Sequence, residues 1–186
     1  LRLCHYSLSQ ADRGKNLGIL SAADLEQAQR PTDREMMNVM AVYFECVTRS
    51  DGTAEELFDL ARDISLHEES QAAAGEKATA GVIDGLIGPG QEVTWKARHF
   101  GIPFSLTSRV IEFEFPRRFV DEQTRGPFRS FRHEHIFEAD GSGSVMIDRV
   151  NFSAPFGVLG LLAERLVLAK YMRRVIEDRS AFLVRR

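Results

Sequence analysis

Residues 128–152 read FRSFRHEHIFEADGSGSVMIDRVNF. Apolar and polar side chains alternate on both sides of Asp140-Gly141, and a strand places successive side chains on opposite faces. Asp-Gly is a strong hairpin signal because glycine accepts the positive φ that the turn requires. The stretch therefore predicts a β-hairpin. In its first strand Phe131, His133, His135 and Phe137 share one face, while Ser130, Arg132, Glu134 and Glu138 share the other. Two histidines between two phenylalanines mark the first face as one that lines a cavity.

Upstream of the hairpin the same alternation recurs. Met40 to Thr48 predicts a strand with Val42, Phe44 and Cys46 on one face. Ser50-Asp51-Gly52 makes a turn, and Thr53 with Glu56 forms a capping box that starts a helix with the stripe Leu57, Leu60, Ala61 and Ile64. His67 to Ser70 closes a second short helical turn. A weak strand from Glu76 to Ile83 precedes a turn at Gly88-Pro89-Gly90. Val93, Trp95, Ala97 and His99 then alternate with Glu92, Thr94, Lys96 and Arg98, as in a half-buried antiparallel strand. Strands from Phe104 to Phe113 and from Arg118 to Thr124 bring the count to six or seven, joined by tight turns.

Downstream, Pro155 and Gly157 interrupt the last strand and the period changes to about 3.6 residues. Leu159, Leu162, Leu166, Ala169, Met172 and Ile176 recur at helical spacing, widened by Leu161, Leu168 and Val175. Such a broad apolar face predicts a long carboxy-terminal helix against the concave side of the sheet. Residues 1–38 are polar and without a strong period; Ser21 to Gln29 could form a capped helix ended by Pro31. They are expected to be an extension, partly helical or disordered, before a domain over residues 39–186.

At 186 residues, 44% hydrophobic and 27% charged, the chain has the make-up of one globular domain. A net charge of -3 offers no basic footprint for nucleic acid. Cys4 and Cys46 are too few and too far apart for a zinc motif and read as reduced thiols. No run approaches the about 20 apolar residues of a membrane span, and the amino terminus carries no signal-peptide core. The expectation is a cytoplasmic protein. Leu1 in place of Met marks a fragment, a processed product or an expressed segment, and Met36, Met37 and Met40 lie just before the first strand.

The order of one strand, a helical pair, an antiparallel meander and a long terminal helix is an α+β, helix-grip arrangement: a curved sheet of six to seven strands wrapped around the last helix. EELFDLARDISLH (55–67), GQEVTWKARHFG (90–101), LTSRVIEFEFPRRFVDEQTRGPFRSFRHEHIFE (106–138) and DRVNFSAPFGVLG (148–160) resemble the START-related, Bet v 1-like superfamily, the polyketide cyclase/dehydrase and lipid-transport group called SRPBCC. The Gly126-Pro127-Phe128, His133-x-His135-x-Phe137 and Pro155-Phe156-Gly157 groups are similar to those of a bacterial branch with little assigned function. The resemblance covers about Val39 to Leu183. It implies a deep cavity between sheet and helix for lipids, sterols, polyketides, hormones or quinones, with catalysis in a minority of members. No Rieske-type Cys/His pattern is present, which excludes the oxygenase relatives, and no cofactor is expected.

Within that frame the cavity residues are expected to be Trp95, His99, Phe104, Phe119, Asp121, Gln123, Phe131, His133, His135, Phe152, Leu162 and Leu166. Three readings of the His pair stand open. It could ligate a metal if Asp121, Asp148 or His99 supplied a third ligand, as zinc requires; no metal is expected, because nothing in the chain identifies that ligand. It could form a polar patch that bonds a ligand carbonyl or moves protons, with His133, His135, Asp121 and Asp148 as catalytic candidates. It could also only satisfy itself against Asp121, Gln123 or Asp148 across neighbouring strands. Strand register decides. Arg98, Arg109, Arg125, Arg129, Arg132 and Arg149 read as an outer face balanced by Glu92, Glu112, Glu122 and Glu134, or as one inward clamp for a carboxylate. Arg173, Arg174, Arg179, Arg185 and Arg186 suit the end of the terminal helix through its dipole and could touch anionic lipid.

These observations lead to a carrier of a hydrophobic small molecule. The rivals are a cyclase/dehydrase-type enzyme using a cavity His as general acid/base, and a non-catalytic interaction module with a filled core.

Overall fold

In a computed structural model the chain is described over residues 41–99, 101–153 and 167–185. The expected extension (1–38) and the readings placed on Pro155, Gly157, Leu159, Leu162 and Leu166 lie outside these residues.

The elements run β1 (Val42–Ser50), α1 (Ala54–Ala61), α2 (Ile64–Ser70), β2 (Lys77–Gly81), β3 (Glu92–His99), β4 (Ile102–Glu114), β5 (Arg118–Arg125), β6 (Ser130–Asp140), β7 (Gly143–Ser153) and α3 (Ala169–Leu183). The seven strands form one sheet in the order β1-β7-β6-β5-β4-β3-β2, all pairs antiparallel. Consecutive strands from β2 to β7 are neighbours, and β1 closes on β7 beside the opening helices. Register shifts between β4 and β5, at Thr107/Ser108 and Val110/Glu112, add local twist and bend the sheet.

The expected hairpin is β6–β7. Its last pair is Asp140↔Gly143, so the loop residues are Gly141 and Ser142, one position beyond the Asp140-Gly141 reading, and Gly141 takes φ 64°. The capping box forms as expected: the Glu56 amide donates to Thr53 Oγ1 at 3.2 Å and the Thr53 amide to Glu56 Oε2 at 2.8 Å. The helical stripe through Ile64, however, is broken. Asp63 accepts from the amides of Ser65 and Leu66 and starts a new helix at Ile64, because its short carboxylate satisfies the orphan donors of a first turn better than it continues the old one.

Buried apolar residues gather in three clusters. The first joins β1, β6 and β7 to Ile176 of α3; the second joins α1 to Phe119, Phe137, Met146 and Leu183; the third holds Ile64, Ile87, Val93, Trp95 and Val110. In the second, Phe58 meets Phe113, Phe119 and Phe137 with ring centroids at 5.3, 5.3 and 5.0 Å. Helix α3 is tied to its surroundings by polar bonds at intervals: Arg173 to the Glu45 carbonyl, the Val175 carbonyl to the Gln71 amide, Arg179 to the Ala61 carbonyl and Ser180 to Asp148. No described helix is long and apolar enough to cross a membrane.

The outer face of the sheet carries the strand arginines. Arg149 pairs with Glu45 and Glu134, Arg118 with Glu134 and Glu112, Arg132 with Glu112 and Glu122, and Arg109 with Glu92. The reading of a balanced outer face describes these residues.

Candidate functional site: a cavity between the sheet and the terminal helix

The three core clusters do not close on one another. Between them lies a cavity of about 290 Å³, walled mainly by aliphatic and aromatic side chains from β3 to β6, α1, α2 and α3. Of the residues expected in it, Trp95, His99, Phe104, Phe119, Asp121, Phe131, His133 and His135 are there.

Two others, Gln123 and Phe152, are not brought to the wall. Gln123 turns its amide to the chain at Phe128, donating to that carbonyl and accepting from that amide, so it braces the Gly126-Pro127 turn and bonds neither histidine. Phe152 is wholly buried in the first core cluster. Leu162 and Leu166 fall outside the described residues. Asp148 stands one layer behind the wall and is fully buried.

Register builds the polar corner of the cavity. Asp121 is the direct partner of His133, and Asp148 of His135, with Phe119 completing the second row. Side chains then reach diagonally as well as straight across. His133 Nε2 lies 2.9 Å from Asp148 Oδ1, and His135 Nε2 lies 3.3 Å from Asp121 Oδ2. His135 Nδ1 is 2.8 Å from the same Asp148 oxygen, yet it lies outside hydrogen-bond geometry and has no partner by that measure. We read this contact as charge attraction without a directed bond. Ser180 of α3 donates to the other oxygen of Asp148 at 3.1 Å. The two imidazoles overlap with centroids 3.8 Å apart, and His135 stacks on Phe119 at 4.1 Å.

These contacts separate the protonation states. Burial would raise the Asp148 carboxyl, but the bond from His133 and the close approach of His135 outweigh it and hold the group far below the usual carboxylate range. Asp121 is likewise lowered, burial being overcome by His135. His133 is pushed down by burial and by the charge of His135, against the pull of Asp148. His135 is raised, because Asp121 and Asp148 together overcome its burial. The ionised form is thus favoured at both carboxyl groups, and of the two rings His135 holds a second proton more readily while His133 stays the neutral one. Since Asp148 accepts, the neutral ring carries its proton on Nε2 and leaves Nδ1 as its acceptor.

Asp121, His133 and His135 place one ligand atom each within 4.8 Å of one another, and among the described residues this group could hold a metal. Asp148 would then stand behind the histidines as an orienting carboxylate. A cation there must first displace the proton of His135, because ligating imidazoles are neutral.

A second polar group borders the same cavity, and of its members the chain's alternation signals His99 but not His67, Glu76 or Tyr171. His67 stacks on Trp95 at 4.1 Å and lies 3.5 Å from Glu76, and His99 Nδ1 is 2.6 Å from the Tyr171 hydroxyl. Arg179 also lines the cavity, only 4% exposed, where the helix-dipole reading put it at a solvated helix end. Its signal was present: Met172, Ile176, Arg179 and Leu183 share one helical face. Cys46 is buried and its thiol pushed up to about 11, chiefly by burial, so it is not a nucleophile.

No family model matches the chain, and no curated protein matches it in sequence. Solved structures do match in shape. TTHA0849 from Thermus thermophilus superposes with a TM-score of 0.62 at 17% identity, over 78% of this chain and 94% of that one. The ZhuI aromatase/cyclase from Streptomyces sp. R1128 gives 0.62 at 14% identity, over 77% and 92%. Ara h 8.0201 gives 0.55 at 13%, over 78% and 99%. At such identities the likeness is one of architecture: this chain has the helix-grip fold shared by the Bet v 1-like proteins and the polyketide aromatase/cyclases.

Proposed function

We propose that the protein binds and carries a hydrophobic small molecule in the cavity between its sheet and α3. The observation that carries this reading is a core left open at its centre, with a mainly apolar wall into which a smaller number of polar groups is set. Ligand pockets are built in this way. A filled core would have suited the interaction-module alternative; the three clusters instead surround a void. Lipids, quinones, polyketides and aromatic compounds are the candidate classes. The aromatase/cyclase and Ara h 8.0201 likenesses support a cavity protein at the level of fold.

Native mass spectrometry of the purified protein tests the reading. A bound lipid, quinone or aromatic compound is the expected result; failure to retain any such compound, co-purified or added, overturns it. Trp95 is the chain's one tryptophan and stands in the cavity wall, so its fluorescence reports filling directly.

A second reading, a cyclase/dehydrase-type enzyme, draws on the split protonation states of the corner. A neutral His133 oriented by Asp148 has the form of a general base, and the His135 imidazolium that of an acid. Loss of turnover with retained binding in His133→Ala and His135→Ala supports it, and unchanged turnover removes it.

A further inference from the structure

Arg179 projects from the inner face of α3 and lines the cavity, yet the structure uses little of its bonding capacity. A guanidinium has five N–H donors. One is spent on the Ala61 carbonyl, Nε is buried without a partner, and among the described residues no carboxylate lies within the 4.0 Å of an ion pair. The other arginine of the wall, Arg62, is already held by Asp59 and by the Ile87 carbonyl. A buried charged donor left unpaired is costly, and burial of Arg is rare without a partner. The missing acceptor is therefore expected from what fills the cavity.

The charges around Arg179 select the kind of acceptor. Across the cavity stand Asp121 and His135, with Asp148 and His133 adjoining them and Glu76 paired to His67 at the side. Asp121, Asp148 and Glu76 bring three carboxyl groups to the surroundings of the Arg179 guanidinium. Carboxyl groups thus already outnumber that permanent cation before any ligand enters. A ligand carboxylate would add an uncompensated buried anion, whereas a carbonyl oxygen satisfies the open donors without changing the balance.

We infer that the molecule carried in this cavity is neutral and carbonyl-bearing, a ketone, quinone or ester, whose oxygen is received by Arg179 while its apolar body lies on Trp95, Phe104 and Phe131. This rests on the carrier reading above, and it adds the ligand's head group and the residue that recognises it.

Three matched probes test it by isothermal titration calorimetry at pH 7.5: 2-acetonaphthone, 2-ethylnaphthalene and 2-naphthoate. They share one ring system and differ in offering a neutral acceptor, no acceptor or an anion. The ketone is expected to bind about ten-fold or more tighter than the hydrocarbon, the step associated with a hydrogen bond to a charged group. Naphthoate is expected to bind more weakly than the ketone. In Arg179→Met the gap between ketone and hydrocarbon should shrink to about two-fold, with the hydrocarbon's own affinity kept; Arg179→Lys, which keeps the charge but loses the fork, should fall between. Equal binding of ketone and hydrocarbon, tighter binding of naphthoate, or a gap that survives in Arg179→Met overturns the inference and leaves the carrier reading standing. The wild-type comparison decides even if Arg179→Met does not fold. Binding of none of the three overturns the carrier reading and the inference with it.

Discussion

Asp148→Asn is the substitution that interrogates the polar corner most directly. The amide keeps the shape of the carboxylate but loses its charge, and one of its two acceptor atoms becomes a donor. That atom faces either the shared contact with His133 and His135, at 2.9 and 2.8 Å, or the Ser180 hydroxyl at 3.1 Å. Removing one partner from a fully buried charged set costs about 3–5 kcal/mol. At about 3 °C per kcal/mol for a domain of this size, Tm should fall by about 10–15 °C at pH 6. The pH dependence has a definite sign. Asp148 is depressed below its unfolded value of about 3.9, so its contribution is present above that pH and lost as pH falls below it. His135 is raised above its unfolded value of about 6.5, so its contribution is complete below that pH and lost as pH rises through the folded value. The gap in Tm between wild type and Asp148→Asn should therefore be widest between about pH 4 and pH 6.5 and narrow on both sides. Thermal melts from pH 3 to pH 9 measure it. A drop under about 2 °C at pH 6, or a gap that is flat with pH, would refute the charge assignment.

Phe58→Ala should destabilise by about 3–5 kcal/mol in urea unfolding, since its ring is fully buried among four other phenylalanines; a cost below about 1 kcal/mol would mean that the site collapses. Gly81→Ala should cost more than Gly141→Ala. Both glycines have positive φ, but a Cβ at 81 would meet the Glu92 carbonyl oxygen at 2.1 Å while 141 has open space, and equal losses in chemical denaturation would contradict the close approach. Arg132→Ala on the outer face should cost no more than about 1 kcal/mol, a loss that fades in high salt, despite its two carboxylate partners. Replacing Asp121, His133, His135 and Asp148 together by leucine should leave stability unchanged or raise it by about 1–4 kcal/mol, the opposite of Asp148→Asn alone, and a large loss would show that the corner serves folding.

The strands were legible because one buried face writes itself into the chain as alternation. Val93, Trp95 and Ala97 are buried while Lys96 and Arg98 are exposed, as their spacing required. The division between α1 and α2 was hidden because Leu57, Ala61 and Ile64 keep helical spacing straight across the break, and only the cap at Asp63 reveals it. Alternation also put Gln123 and Phe152 on the inward face, but an inward face is shared by core and cavity. The difference depends on which strand lies opposite, and that is a matter of register. Arg179 was missed for a different reason. A charged residue in an apolar stripe near a helix end reads as a solvated terminus unless its position on the stripe is given more weight than its charge.

The two faces of β6 carry the same kinds of side chain to opposite effect. Arg132 and Glu134 point outward into a network in which each pair is solvated and contributes little. His133 and His135, their immediate neighbours, point inward, where each charge must be compensated at close range or removed. A buried ion-pair set is weak evidence for stability, since well-packed apolar residues often replace one without loss. Asp121, His133 and His135 stand on the wall of the cavity, Asp148 orients both rings from behind, and Ser180 ties that carboxylate to the helix that roofs the site. Under the carrier reading proposed above, groups held at such cost beside an open volume are the ones that meet what enters it.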